Sequence, residues 1–182
     1  MPSIISADPT PAADRRERSD RYARPDGSAV RLRSIRPSDG DELLALGDRC
    51  SDQTIYRRFF SPRRALTPDE LTRLVTVDHH DREAVVVIID ARIAAVARYD
   101  VTHPGTAEIA VLVEDAHQGR GLGTLLVDEL VARARANGIE RLEAETMADN
   151  RAMLAVLQRT GLRSASALTD DGTWIVTLDL VR

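Results

Sequence analysis

The chain has 182 residues, 43% of them hydrophobic, and a formal net charge of −4. That length holds one domain with a sizeable core, and the charge argues against a nucleic-acid binder, which needs a concentrated positive footprint. A single cysteine, Cys50, leaves no intrachain disulfide and no multi-cysteine metal site. No apolar run approaches the ~20 residues of a membrane span, and the N-terminus lacks a signal-peptide pattern, so a cytoplasmic protein away from membranes is expected.

Residues 1–27 are rich in Pro, Ala, Asp and Arg and nearly free of apolar side chains after Ile5, which predicts a disordered tail ahead of one domain over 28–182. AVRLRSI at 29–35 alternates as a half-buried strand does, and RPSD then opens a helix that runs to Arg49. A short helix is predicted from Gln53 to Phe60, and Thr67-Pro68-Asp69-Glu70 caps a third that runs to Val77. The continuous apolar run Ala84–Ile89 is a strand covered on both faces, turning through DAR into a hairpin partner at Ile93–Tyr99. A third strand of this group runs from Ala107 to Val113. Leu122, Leu125, Leu126 and Leu130 follow at helical spacing, and Asn137-Gly138 ends that helix. A strand at Arg141–Thr146, a helix from Asn150 to about Thr160, and two strands around Leu162–Ala167 and Trp174–Val181 complete a mixed α/β sheet with helices on both faces.

Between the strand at 107–113 and the leucine-rich helix lies Gln118-Gly119-Arg120-Gly121-Leu122-Gly123-Thr124. A glycine turn that opens a helix presents unpaired backbone N–H groups and the positive end of the helix dipole, which suits a phosphate. The P-loop pattern fails for want of its Lys, and the dinucleotide fingerprint fails for want of a third Gly at the right spacing.

The stretch resembles the Q-x-x-G-x-G/A signature of the GNAT superfamily of acyl-CoA-dependent N-acyltransferases. Val111, Leu112 and Val113 end a strand five positions before Gln118, as in that family, and the order of elements agrees from about residue 29 to 182. The resemblance implies a GNAT fold: a mixed sheet of about six to seven strands with a splayed pair that holds acyl-CoA. It further implies that the amides from Gln118 through Gly119, Arg120, Gly121 and Gly123 to Thr124 cradle the pyrophosphate of acetyl-CoA. Leu112 and Val113 would pair with the pantetheine amides, and Asn150 would stand beside pantetheine, with a plain helix cap as the other reading of Asn150.

Amide formation needs a neutral amine, whereas a lysine amine has a pKa of ~10.4, so a base is expected near the cleft. Glu108 is the candidate: it interrupts an apolar strand, shares a face with Ala110 and Leu112, and would be costly there unless paired or used, the other reading being a strand-end carboxylate that reaches solvent. Many family members carry a glutamate base on this strand. A Tyr that serves as acid in many members has its counterpart at Leu157, which leaves His117 as an alternative donor or no acid at all. Cys50 has no base beside it in sequence, and Asp78-His79-His80-Asp81 reads as a solvated loop, so neither a covalent carrier nor a metal is expected.

SDQTIYRRFFSP at 51–62, AEIAVLVEDAHQGRGLGTLL and IERLEAETMADNRAML look like the bacterial Pat-type protein lysine acetyltransferases. That resemblance implies transfer to a lysine of a protein such as a metabolic acyl-CoA synthetase, with Glu108 as base and the Val113 N–H polarising the thioester carbonyl. The ordinary alternative for RRFF has Phe59 and Phe60 as core or lid anchors and Arg57 and Arg58 as solvated charge, which is compatible with a Pat-type enzyme. Some relatives carry a cyclic-nucleotide domain, for which the 27 leading residues are too few, so direct control by cyclic AMP is not expected of this chain. A small-molecule amine acetyltransferase and a non-catalytic acyl-CoA sensor share the donor features and remain open alternatives. All 25 basic residues are arginine, so the chain offers no lysine side chain to its own chemistry.

Overall fold

Ala84 to Ile88 are buried because their strand lies inside the sheet with helices on both sides. The computed structural model describes residues 20–23, 29–62 and 65–181. In it β1 (Asp20–Ala23), β2 (Ala29–Ser34), β3 (Arg82–Ile89), β4 (Arg92–His103), β5 (Thr106–Val113), β6 (Arg141–Met147), β7 (Ser164–Leu168) and β8 (Thr173–Asp179) form one sheet in the order β1-β2-β3-β4-β5-β6-β8-β7. Neighbours are antiparallel except β5 and β6, which run parallel. A parallel pair needs a long crossover, and α4 (Leu122–Ala136) supplies it. The other helices are α1 (Gly40–Arg49), α2 (Asp52–Phe59), α3 (Pro68–Val75) and α5 (Arg151–Arg159).

The two faces of β3 divide the core by strand parity. Val85 and Val87 join Ala97, Ile109, Leu126 and Leu130 under α4, while Ala84, Val86 and Ile88 join Leu46, Ile55, Val75 and Leu112 under α1 to α3. Each fully buried leucine of α4 contributes ~1.5–3 kcal/mol relative to exposure. Local chemistry starts the helices as expected: Thr67 and Glu70 form a capping box on α3, and Ser51 accepts the Thr54 amide to cap α2. Ahead of α1, Pro37–Asp39 form a separate 3₁₀ turn, since the Asp39 carboxylate accepts the Arg36 N–H at 2.8 Å and tightens that turn.

The expected α/β fold class holds, with eight strands instead of six to seven. The added one is β1, which falls within the stretch 1–27 expected as a tail. Its pairing with β2 runs from Asp20↔Leu32 to Ala23↔Ala29 and rests on backbone hydrogen bonds, which hydropathy does not register. Residues 1–19 and 24–28 lie outside the described residues.

Candidate acyl-transfer site

β5 and β6 pair only at Thr106↔Arg141, Ala107↔Leu142 and Glu108↔Glu143. Beyond that point β5 runs on to Val113 and β6 to Met147 with a gap between them. The edge groups facing the gap follow from the ladder on the other side. Glu114 N donates to Ala94 O, so by alternation the Leu112 amide also faces β4, while the amides of Val111 and Val113 face the gap. Of the two residues expected to offer edge amides, Val113 has this orientation and Leu112 does not. Val111 takes the second edge position, and the Leu112 side chain packs into the α1–α3 core.

The turn after β5 bends sharply at two glycines. Gly119 has φ 70° and Gly121 φ 83°, in the region that other residues adopt only with strain, and a Cβ on either would meet open space. Gly123 serves differently, since its Cβ would lie 3.2 Å from Val156 Cγ2 and its absence lets α4 and α5 approach. Gly121 caps α4 without a side chain, so the amides of the first turn of α4 remain available. Thr124 Oγ1 is buried in that turn with no hydrogen-bond partner.

Polar contacts hold the turn against α2. Gln118 Nε2 donates to Val113 O at 3.0 Å and to Thr54 Oγ1 at 3.1 Å. Asp115 accepts from Ser51 N, Ser51 Oγ and Thr54 Oγ1 at 2.9, 2.7 and 3.0 Å. Burial pushes the Asp115 carboxyl up, but these bonds outweigh it and hold the group below the ordinary carboxylate range. Arg49 at the end of α1 pairs with Glu114 at 2.9 Å and donates to Ile93 O at 2.6 Å.

Together these elements wall a cavity of about 340 Å³. Val111, Leu112 and Val113 border it, with Gln118, Gly119, Gly121, Gly123 and Thr124 from the turn and Asn150, Met153 and Val156 from the α5 side. Asn150 is both lining and cap, because its Oδ1 accepts the Met153 amide at 3.2 Å. Arg120 is exposed and does not border the cavity. Leu157 is buried in the α4-side core and does not border the cavity. His117 lines the cavity with its Nδ1 buried and unpartnered.

Glu108 is exposed on the face it shares with Ala110 and Leu112. The burial cost expected for it therefore does not arise, because the side chain meets solvent, and Glu108 does not border the cavity. Close by, α2 turns its arginines to the cavity, which speaks against the ordinary alternative of solvated charge for them. Thr54, Arg57 and Arg58, spaced i, i+3 and i+4 on α2, all line the cavity, while Phe59 is 40% exposed. Arg57 pairs with Asp149 at 3.3 Å. Burial pulls the Arg58 guanidinium down to about 10, Arg98 adds to that, and the attraction of Glu108 and Asp100 opposes it. The helical spacing from buried Ile55 to Arg58 was the available signal.

Cys50 is 4% exposed within the α1–α3 core and does not line the cavity. His79 Nδ1 lies 2.9 Å from Glu83 and His80 Nδ1 2.8 Å from Asp81. Among the described residues no helix is long and apolar enough to cross a membrane.

A splayed parallel strand pair, a glycine turn opening the crossover helix and a cavity between them define an acyltransferase class of site. Residues 53–162 match the acetyltransferase (GNAT) family, and the chain belongs to it. It is 36% identical over 142 residues to acetyltransferase Pat of Mycolicibacterium smegmatis, which covers 71% of this chain and 40% of that protein. The chain thus spans less than half the length of that relative. The crystal structure of the GNAT domain of S. lividans PAT superposes with a TM-score of 0.82 at 31% identity, covering 88% of this chain and 96% of that one. The fold is shared with yncA of Salmonella typhimurium, solved with its cofactor acetyl-CoA, at TM-score 0.71 and 19% identity over 85% of this chain and 96% of that one.

Proposed function

We propose that the chain transfers the acetyl group of acetyl-CoA to a primary amine, the side chain of a lysine in a partner protein. The observation that carries this is the gap beyond Glu108↔Glu143, where the Val111 and Val113 amides face an open edge beside the glycine turn. An extended pantetheine arm fits that edge as an added strand would. The pyrophosphate is received by the amides from Gln118 to Thr124 and by the unpartnered Thr124 hydroxyl. Asn150 borders the arm from the start of α5.

In this reading the acceptor amine gives up its proton to Glu108, directly or through water, and its nitrogen attacks the thioester carbon. The Val113 N–H stabilises the negative charge that develops on the carbonyl oxygen. The C–S bond then breaks, and the thiolate leaves without an acid at Leu157, since its thiol pKa is only ~8.5, and takes up the second amine proton to give free CoA thiol. Likeness to Pat supports a protein acceptor.

Radiolabelled acetyl-CoA incubated with the enzyme and a lysine-containing cell lysate tests the reading. Label is expected in discrete protein bands and is expected to vanish with Glu108→Gln. Because the enzyme has no lysine, its own side chains add no background. Label confined to small molecules would instead assign a small-molecule amine acceptor, and acetyl-CoA binding without any transfer would assign a sensor.

A further inference from the structure

Among the described residues, no carboxylate closes an ion pair with Arg58. Its guanidinium is partly buried on the cavity wall, yet it makes no hydrogen bond and no ion pair with any described residue. Its Cζ stands 4.7 Å from the centre of the Phe59 ring. The charges around it are engaged elsewhere. Asp100 takes Arg82 on one oxygen at 2.8 Å and Arg98 on the other at 2.9 Å, and Arg57 holds Asp149. Glu108 attracts Arg58 without closing onto it. A guanidinium removed from water without a partner is costly, and the cost falls when an anion arrives.

We propose that Arg58 anchors a carboxylate at the far end of the donor's acyl group, so that the enzyme transfers dicarboxylic acyl groups such as succinyl as well as acetyl. The inference rests on the reading of the cavity as an acyl-CoA site. Arg58 borders the same cavity as Val113, the residue assigned to the thioester, and its planar fork matches a carboxylate in bidentate fashion. A bare cation beside the acceptor would repel the incoming ammonium, and a donor carboxylate cancels that repulsion. A lysine within a protein has its own carboxyl group tied in a peptide bond, so the anion comes from the donor. The chemistry balances as for acetyl transfer: the amine nitrogen bonds the acyl carbon, the C–S bond breaks, Glu108 takes the amine proton, and free CoA thiol with a succinamide-type lysine results.

The test compares wild type, Arg58→Met and Arg58→Lys with acetyl-CoA and succinyl-CoA on one lysine peptide and on free lysine, and measures binding of both esters by calorimetry without acceptor. Wild type is expected to succinylate. Arg58→Met is expected to lower kcat/KM and affinity for succinyl-CoA ~10- to 100-fold more than for acetyl-CoA, with Arg58→Lys in between. Misfolding would depress both donors alike, so the ratio separates recognition from damage. The proposal is overturned if wild type acetylates but does not succinylate, or if the Met variant lowers both donors by one factor. A loss that appears only with a free amino acid as acceptor, whichever donor is used, would move the anion to the acceptor and overturn it as well. Failure of either ester to bind would remove the donor-site reading beneath it.

Discussion

Glu108 and Glu143 stand side by side as the last paired residues of β5 and β6, and the parallel ladder ends with them. The candidate base thus sits at the closed end of the gap, on the strand whose amides line the rest of it. Glu108→Gln keeps the size of the side chain and removes the proton acceptor. It is expected to lower kcat ~10²-fold or more and to leave the calorimetric affinity for acetyl-CoA close to that of wild type. Unchanged turnover would remove Glu108 from the mechanism.

The Thr124 hydroxyl gives a second, independent probe of the donor site. It is buried without a partner in the first turn of α4 and borders the cavity. Thr124→Val preserves shape and removes only the donor. If the hydroxyl meets a phosphate oxygen, a charge-assisted hydrogen bond is lost and the acetyl-CoA dissociation constant should rise ~10-fold while the melting temperature stays level or rises. An unaltered dissociation constant would place the phosphates elsewhere.

The glycine turn, the strand before it and the helix after it were legible because each signal is local: backbone freedom, alternation and helical spacing. Three features needed information that one sequence does not carry. The strand Asp20–Ala23 forms through backbone pairing at a sheet edge, with no apolar pattern to announce it. Whether Leu112 or its neighbours point their amides at the gap depends on ladder parity, which is set by the partner strand and not by β5 itself. Arg58 turned out to face the cavity and Phe59 the solvent because α2 is oriented by its packing of Ile55 into the core. Composition alone does not tell a solvated arginine from one that faces a cavity on so short a helix.

Packing between α4 and α5 yields a prediction for Gly123 that is separate from ligand binding. A Cβ there would approach Val156 Cγ2 to 3.2 Å, tighter than ordinary contact. Gly123→Ala is expected to lower stability by ~1–3 kcal/mol despite the better helix propensity of alanine. Combining it with Val156→Ala should recover part of that loss, giving a favourable coupling of ~0.5 kcal/mol or more in a double-mutant cycle read by urea denaturation. Additive losses would show that the two residues do not meet.

Asp39 predicts how stability responds to acid. Its carboxylate accepts both Arg33 guanidinium nitrogens at 2.6 and 2.8 Å and the Arg36 amide at 2.8 Å. Burial pushes the carboxyl up, but the Arg33 hydrogen bonds, the Arg36 amide and the two positive charges outweigh it and hold the group below its ordinary value. A carboxyl depressed by folding adds stability that is fully present above its unfolded pKa of ~3.9 and is lost as pH falls through the folded value. Asp39→Asn leaves Arg33 without its counter-charge in a largely buried place, at a cost of about 3 kcal/mol near neutrality. Because the asparagine cannot titrate, the gap between wild type and variant in urea midpoint should be widest from about pH 5 to 7 and should shrink below about pH 4. A gap that stays constant down to pH 3 would mean that the variant loses packing and not the ion pair.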